Sequence, residues 1–266
     1  MALFTQLIGD GRPDVVFLHG LFGRGKNWAG IARALAEQGH PSVLFDLPNH
    51  GRSHWTESVD YAAMAGEVAD ELRLRLGSAA SMTVVGHSMG GKVAMVLALE
   101  HPELVSRLVV VDIAPDVSDQ VRTSVPLVKA MRELDLDAVA SRGAAERALA
   151  ADVDDAAVRL FLLQNLKHTR TAENRNGWQW EVNLGLLGDH LDEVAAWPEV
   201  GEARYDGPVL WVGGTESLYI RPEHAAGMRR LFPRVRQVWI EGAGHWVHAD
   251  APAELTAELL AFLGED

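Results

Sequence analysis

The sequence predicts an α/β fold: a mostly parallel central sheet flanked by helices, with a helical segment inserted between two of its strands. Three observations carry that prediction. Short continuous apolar runs (Val15-Val16-Phe17-Leu18, Val43-Leu44-Phe45, Val84-Val85, Leu108-Val109-Val110-Val111, Val209-Leu210-Trp211-Val212) have the length and composition of strands buried on both faces. Stretches with helical spacing separate them, and strands alternating with helices build βαβ units, whose strands run parallel. The alternation breaks between 117 and 203, where Ala, Leu, Arg, Glu and Asp recur at helical spacing without a strand run, and then resumes.

Taken in order, Leu3 to Ile8 reads as an edge strand and Gly9-Asp10-Gly11 as a turn. The run at 15–18 ends at His19-Gly20-Leu21-Phe22-Gly23. Asn27 is placed to cap a helix reaching about Gln38, with Gly39 just past its end. The strand ending at Asp46 leads into Leu47-Pro48-Asn49-His50-Gly51-Arg52-Ser53, and Ala65, Val68, Ala69, Leu72 and Leu76 mark a helix over 61–76. Val84-Val85 precedes Gly86-His87-Ser88-Met89-Gly90, and Val93 to Leu99 reads as a buried helix that His101-Pro102 stops. After the run ending at Asp112 comes the inserted segment, which carries Trp178, Trp180 and Trp197 near its end. Past it lie the strand at 209–212, a helix from Pro222 to about Phe232, the strand Val235 to Ile240 and a helix from Pro252. The expected organisation is a core of residues 1–116 and 204–266 with a helical lid of residues 117–203.

Composition narrows the function. The chain has 266 residues, 48% hydrophobic and 23% charged, ordinary for a globular protein able to bury a full core. A net charge of -13 argues against nucleic acid and anionic membranes as partners. Without cysteine there is no disulfide, thiolate nucleophile or Cys-ligated metal. The first ten residues lack a basic n-region and a long apolar run, so no signal peptide is expected, no segment has the ~20 apolar residues of a membrane span, and a cytoplasmic protein is the default.

Gly86-His87-Ser88-Met89-Gly90 matches G-x-S-x-G between a strand and a helix. That context places the serine on a strained turn, its hydroxyl pushed out above the sheet, with the positive end of the following helix aimed at the same spot. A serine hydroxyl needs a base. Of 11 histidines the best placed is His245, in the glycine-rich loop Gly242-Ala243-Gly244-His245 after the last strand, at the carboxyl edge where open α/β sheets bind ligands. His248 reads as a supporting or surface residue. The base in turn needs a carboxylate, and the strand order offers two positions: the loop after 209–212, which contains Glu216, and Asp112 at the end of the strand after the serine. The oxyanion donors would be the backbone N–H of Met89 and one from the loop after the strand at 15–18, Leu21 first and Phe22 next.

The His19-Gly20 turn, the Asn49-His50-Gly51-x-Ser53 loop, the Gly86-to-Gly91 elbow and Gly244-His245 together resemble the α/β-hydrolase family over nearly the whole chain outside the insertion. In that family the acid stands at the position of Ser217 here, and a serine cannot serve as one. Gly213-Gly214-x-x-Ser217-x-Tyr219 and Gly244-His245-Trp246-Val247-His248 also resemble a subgroup, the YbfF-type bacterial esterases, in which the acid follows the next strand. That resemblance implies Asp112 rather than Glu216. It also implies hydrolysis of acyl esters, or acyl-CoA thioesters, through an acyl-enzyme on Ser88, with no cofactor and a lid whose apolar and tryptophan positions shape the acyl pocket, the tryptophans reading first as core or lid packing and only second as substrate contacts.

Other readings are weaker. Gly20-x-x-x-x-Gly25-Lys26 and Gly86-x-x-x-x-Gly91-Lys92 have P-loop spacing, but Asn27 and Val93 stand where Ser or Thr would hold Mg²⁺. His245-x-x-His248 lacks an obvious third metal ligand. Epoxide hydrolases and haloalkane dehalogenases carry a carboxylate where Ser88 stands. Cofactor-free haloperoxidases or perhydrolases, lyases of quinone biosynthesis and an inactive binding protein remain alternatives on the same fold.

Overall fold

The computed structural model describes residues 2–76, 81–169 and 177–265. The apolar runs pair into one seven-stranded sheet. Its strands are β1 (Thr5–Ile8), β2 (Val15–Leu18), β3 (Ser42–Phe45), β4 (Met82–His87), β5 (Val105–Val111), β8 (Val209–Gly214) and β9 (Val235–Ile240). The spatial order is β1-β3-β2-β4-β5-β8-β9. β1 is antiparallel to β3, and every other neighbouring pair is parallel. β2, β3, β4 and β8 are buried along their whole length, as continuous apolar runs require of a sheet covered on both faces.

Helices α1 (Ala29–Glu37) and α11 (Pro252–Leu263) cover one face. Trp28, Ile31, Leu35, Leu255 and Phe262 pack there with Phe17 and Val85. Helices α2 (Tyr61–Leu76) and α3 (Met89–Glu100) cover the other, and α3 is buried from Met89 to Leu99 because it lies between the sheet and the rest of the chain. One local expectation fails. Residues Gly25–Trp28 form a 3-10 turn, and Asn27 is inside it rather than capping α1. Its Oδ1 accepts the Arg24 N–H at 2.7 Å, a shorter-range bond that closes the turn before the helix starts.

The order of the strands fixes the site. The chain moves from β2 outward to β3, returns to β4 on the other side of β2, and then runs outward through β5 to β8 and β9. The loops after β2 and β4 therefore diverge at the carboxyl edge, and a crevice opens between them. Between β5 and β8 the chain leaves the sheet for α4 (Val125–Glu133), α5 (Arg142–Leu149), α6 (Ala156–Leu163), α7 (Leu184–Asp189) and α8 (Leu191–Ala195). The expectation of no strand in this segment is overturned by an antiparallel pair, β6 (Leu166–His168) with β7 (Trp178–Trp180). Each strand has only three residues, with Lys167, His168 and Gln179 exposed, so no apolar run announces it. Residues 170–176 of the segment lie outside the described residues. The remaining helices, α9 (His224–Leu231) and α10 (Val247–Asp250), lie before and after β9 in sequence. No described helix is long and apolar enough to cross a membrane.

Candidate active site

β4 delivers Ser88 through a turn with no room for side chains beside it. A Cβ on Gly86 would strike the Gly90 carbonyl oxygen, and a Cβ on Gly90 would strike the carbonyls of Leu18 and His19 on the next strand. Ser88 itself has φ 53° and ψ −121°, a conformation costing about 1–3 kcal/mol for a residue with a side chain. Its N–H donates to the Val111 carbonyl at 3.0 Å, so the end of β5 holds the strained turn. Among the described residues the other non-glycine positive φ values belong to Phe22, Asn49 and Asp112. All four sit in loops at the carboxyl edge of the sheet, where such strain marks functional positions.

The three candidate residues meet in a chain of hydrogen bonds. Ser88 Oγ–H donates to His245 Nε2 at 3.0 Å. His245 Nδ1–H donates to Asp112 Oδ2 at 2.7 Å, and the acceptor-only carboxylate fixes the tautomer. Asp112 is fully buried. Two more donors satisfy it: the Gly214 N–H reaches Oδ1 at 3.2 Å, and the Ser217 hydroxyl donates to Oδ2. Ser217, which cannot itself be an acid, thus donates to a carboxylate supplied from the neighbouring strand. Glu216 is exposed on the same loop, its N–H donating to the Ala243 carbonyl. Tyr219, two residues past Ser217, lays its ring on His245 with centroids 3.5 Å apart and planes 11° apart. The sequence offered only a place in a motif for Tyr219, with nothing to say it would touch the imidazole.

Two buried histidines shape the loop after β2. His50 Nδ1–H donates to the Pro48 carbonyl at 2.9 Å, and its Nε2 accepts the Phe22 N–H at 3.2 Å. His19 Nδ1–H donates to the Gly20 carbonyl at 2.8 Å, and its Nε2 accepts the Leu47 N–H at 3.0 Å. Burial lowers His19 to about 4 and His50 to about 3, so both are neutral and able to accept. Of the two N–H groups offered by that loop, Phe22 is therefore engaged by His50. Met89 is the first residue of α3, where an N–H has no acceptor within the helix.

His248 is not a surface residue. Its ring stacks on Trp28 at 4.8 Å and packs against His87 at 4.7 Å, and burial lowers it to about 4. His87 Nε2–H donates to the His245 carbonyl at 2.8 Å, and burial holds His87 well below its ordinary value. The pair props the loop that carries His245, and no set of three metal-binding side chains exists among the described residues.

Neither P-loop match cradles an anion. The Gly25 N–H already donates to Asp46 Oδ1 at 2.8 Å, and Gly91-Lys92 lies inside α3. Lys92 is buried, and its Nζ donates to the carbonyls of Ala195 and Ala196 at 2.6 and 2.7 Å. It joins α3 to the end of α8.

A cavity of about 380 Å³ opens over Ser88. Its walls combine Leu21, Met89 and Ile113 from the sheet edge with Leu127, Val158 and Phe161 from the segment between β5 and β8. The aromatic side chains against it are Phe22, Phe161, Tyr219 and Trp246. Trp180 and Trp197 pack against the hydrophobic core and Trp178 is buried within it, the packing role read first for them from the sequence, and none of the three lines the cavity. Asp152, Asp154 and Asp155 also border the cavity and are exposed.

A model of the alpha/beta hydrolase fold matches residues 13–252. The sn-1-specific diacylglycerol lipase ABHD11 of Danio rerio is 37% identical over 269 residues, covering 97% of this chain and 82% of its own. Esterase YbfF of Escherichia coli K12 is 30% identical over 251 residues, 94% of this chain and 93% of its own. Among solved structures, a marine microorganism esterase superposes with a TM-score of 0.91 at 30% identity, covering 98% of this chain and 99% of that one.

Proposed function

Because the chain belongs to the alpha/beta hydrolase fold family, we propose that it is a serine-dependent hydrolase of carboxylic esters, with Ser88, His245 and Asp112 as its catalytic residues. One observation carries this reading: the Ser88–His245–Asp112 hydrogen-bond chain, with bonds of 3.0 and 2.7 Å, opens into an apolar cavity large enough for an acyl ester. Relatives named as a diacylglycerol lipase and as an esterase support the same substrate class.

His245 Nε2 takes the Ser88 proton as Oγ attacks the ester carbonyl, and Asp112 stabilises the imidazolium. The N–H groups of Met89 and Leu21 receive the oxyanion, Leu21 because Phe22 is occupied by His50. Collapse of the tetrahedral adduct breaks the C–O bond, and His245 returns the proton to the leaving alcohol. A water then attacks the acyl-enzyme with His245 as base and releases the acid. Residues 117–203 act as a lid over this site, with 1–116 and 204–266 as the core; Leu127, Val158 and Phe161 are the lid's contribution to the pocket. Asp152, Asp154 and Asp155 put negative charge at the border of the cavity, which disfavours acyl-CoA relative to a neutral ester.

Hydrolysis of p-nitrophenyl esters from acetate to long acyl chains, with butyryl-CoA alongside, tests the proposal. Wild-type turnover that Ser88→Ala lowers by about 10⁴-fold or more, with ester preferred to thioester, is the expected result. Equal turnover in both proteins overturns the role of Ser88. Folded wild type without ester turnover moves the assignment to a lyase, a perhydrolase or a binding protein on this fold.

A further inference from the structure

We propose that Tyr219 is a positioning residue for His245, its ring face stabilising the imidazolium that forms when Ser88 gives up its proton; this rests on the esterase reading above. The geometry is specific. The two rings are nearly parallel, at 11°, with centroids 3.5 Å apart, so the π face of the phenol covers one side of the imidazole. A cation over an aromatic face is attracted by the ring quadrupole, and the attraction grows when water is excluded.

The Tyr219 ring is fixed from both ends. Its backbone N–H donates to Ser217 Oγ at 3.2 Å, and its hydroxyl donates to the Gln120 carbonyl at 3.2 Å. Burial raises the phenol above its ordinary value, so the ring stays neutral where the imidazole cycles between charge states. Ser217 in turn donates to the same Asp112 oxygen that receives His245 Nδ1–H. One short loop after β8 therefore grips both the acid and the base.

The remaining groups around the imidazole do not compete for this task. Asp112 lies in its plane at Nδ1, and Ser88 at Nε2. His87, with ring centroids 4.8 Å away and tilted by 43°, is held well below its ordinary value by burial. His248, the other titratable neighbour, is lowered to about 4 by burial. Both are uncharged where an esterase of this kind works, leaving Tyr219 to interact with the charge above the ring plane. Trp246 is more distant, at 6.4 Å.

The experiment compares kcat/KM against pH for wild type, Tyr219→Phe and Tyr219→Leu, using p-nitrophenyl acetate. Tyr219→Leu is expected to lower kcat about 5- to 10-fold and to move the acidic limb of the profile down by about 0.5–1 pH unit. Tyr219→Phe keeps the π face and should restore both kcat and the limb to within about twofold of wild type. Histidine NMR in a Ser88→Ala background reads the same shift without turnover, so failure of the esterase reading and failure of this inference are separable. A Leu variant with the wild-type limb overturns the proposal, and so does a Phe variant that behaves like Leu. Loss of the downfield His245 Nδ1–H resonance in folded Tyr219→Leu would also overturn it, by making the ring a prop for the His245–Asp112 bond.

Discussion

The loops at the carboxyl edge of the sheet and the segment between β5 and β8 meet at one cavity but are built on different terms. The edge loops carry every non-glycine positive φ among the described residues, and their polar side chains His19, Asn49, His50 and Asp112 are each no more than 1% exposed. Each of those side chains has hydrogen-bond partners within the core. The segment between β5 and β8 is made of short helices, and Val117, Val125 and Leu160 stand more than half exposed along it. It shares an apolar cluster with the core, Met131, Leu162 and Val194 among its residues there, and polar ties include Arg24 to Glu181 at 2.7 Å, Asn165 to the Phe22 carbonyl at 2.7 Å, Tyr61 to the Val194 carbonyl at 2.6 Å, and Lys92 to Ala195 and Ala196. The difference teaches where precision is needed. Groups that must stay aligned within fractions of an ångström sit on strand ends under strain. Groups that only shape a pocket, such as Leu127, Val158 and Phe161, sit on the short helices between β5 and β8.

Substitutions in the two regions should act on different kinetic constants. Asp112→Asn should lower kcat about 10³- to 10⁴-fold, because an amide favours the wrong imidazole tautomer, while Glu216→Gln should stay within about twofold. Similar small losses from both would remove Asp112 from the edge-loop machinery. A urea titration sharpens the stability side. The neutral His19 and His50 are lowered in the folded protein relative to the ordinary value of 6.5, so the unfolded chain binds more protons as pH falls. Their stabilisation is complete above pH ~6.5 and is lost as pH drops toward about 4 and 3, each adding up to about 1.4 kcal/mol per pH unit. His50→Gln should flatten the acid side of the stability curve by one proton, and an unchanged slope would mean that His50 is not held neutral.

The smallest effect is expected on the lid side. Burial brings Lys92 down to about 7, so its charged form is disfavoured in the fold, and Lys92→Met should leave Tm unchanged or raise it by a few degrees. The carbonyls of Ala195 and Ala196 lose their donor, which loosens the end of α8 against α3. KM for long-chain esters should rise several-fold with kcat preserved. A fall in kcat with KM unchanged would place Lys92 with the edge loops instead.

The sheet and the Gly86–Gly90 turn that carries Ser88 were legible in the sequence because each is local. An apolar run needs only its own residues to read as a buried strand, and Gly86 and Gly90 bracket Ser88 within five positions. The three-residue strands β6 and β7 were not legible, since each buries a single residue, Leu166 and Trp178, too few to make a periodic pattern, and Trp180 Nε1–H reaches the Met131 carbonyl at 3.2 Å across the segment. Asp112 and Leu21 were preferred in the sequence only through a resemblance and a loop position, and tertiary structure alone shows the bond from His245 to Asp112, the bond from the Phe22 N–H to His50, and the ring that covers the imidazole. Those contacts join residues far apart in the chain, with Asp112 and His245 separated by 133 positions. Sequence supplies the residue types that can do the chemistry. Whether a bond of 2.7 Å or a stack of 3.5 Å forms is fixed by how strand ends and loops from distant parts of the chain are packed together.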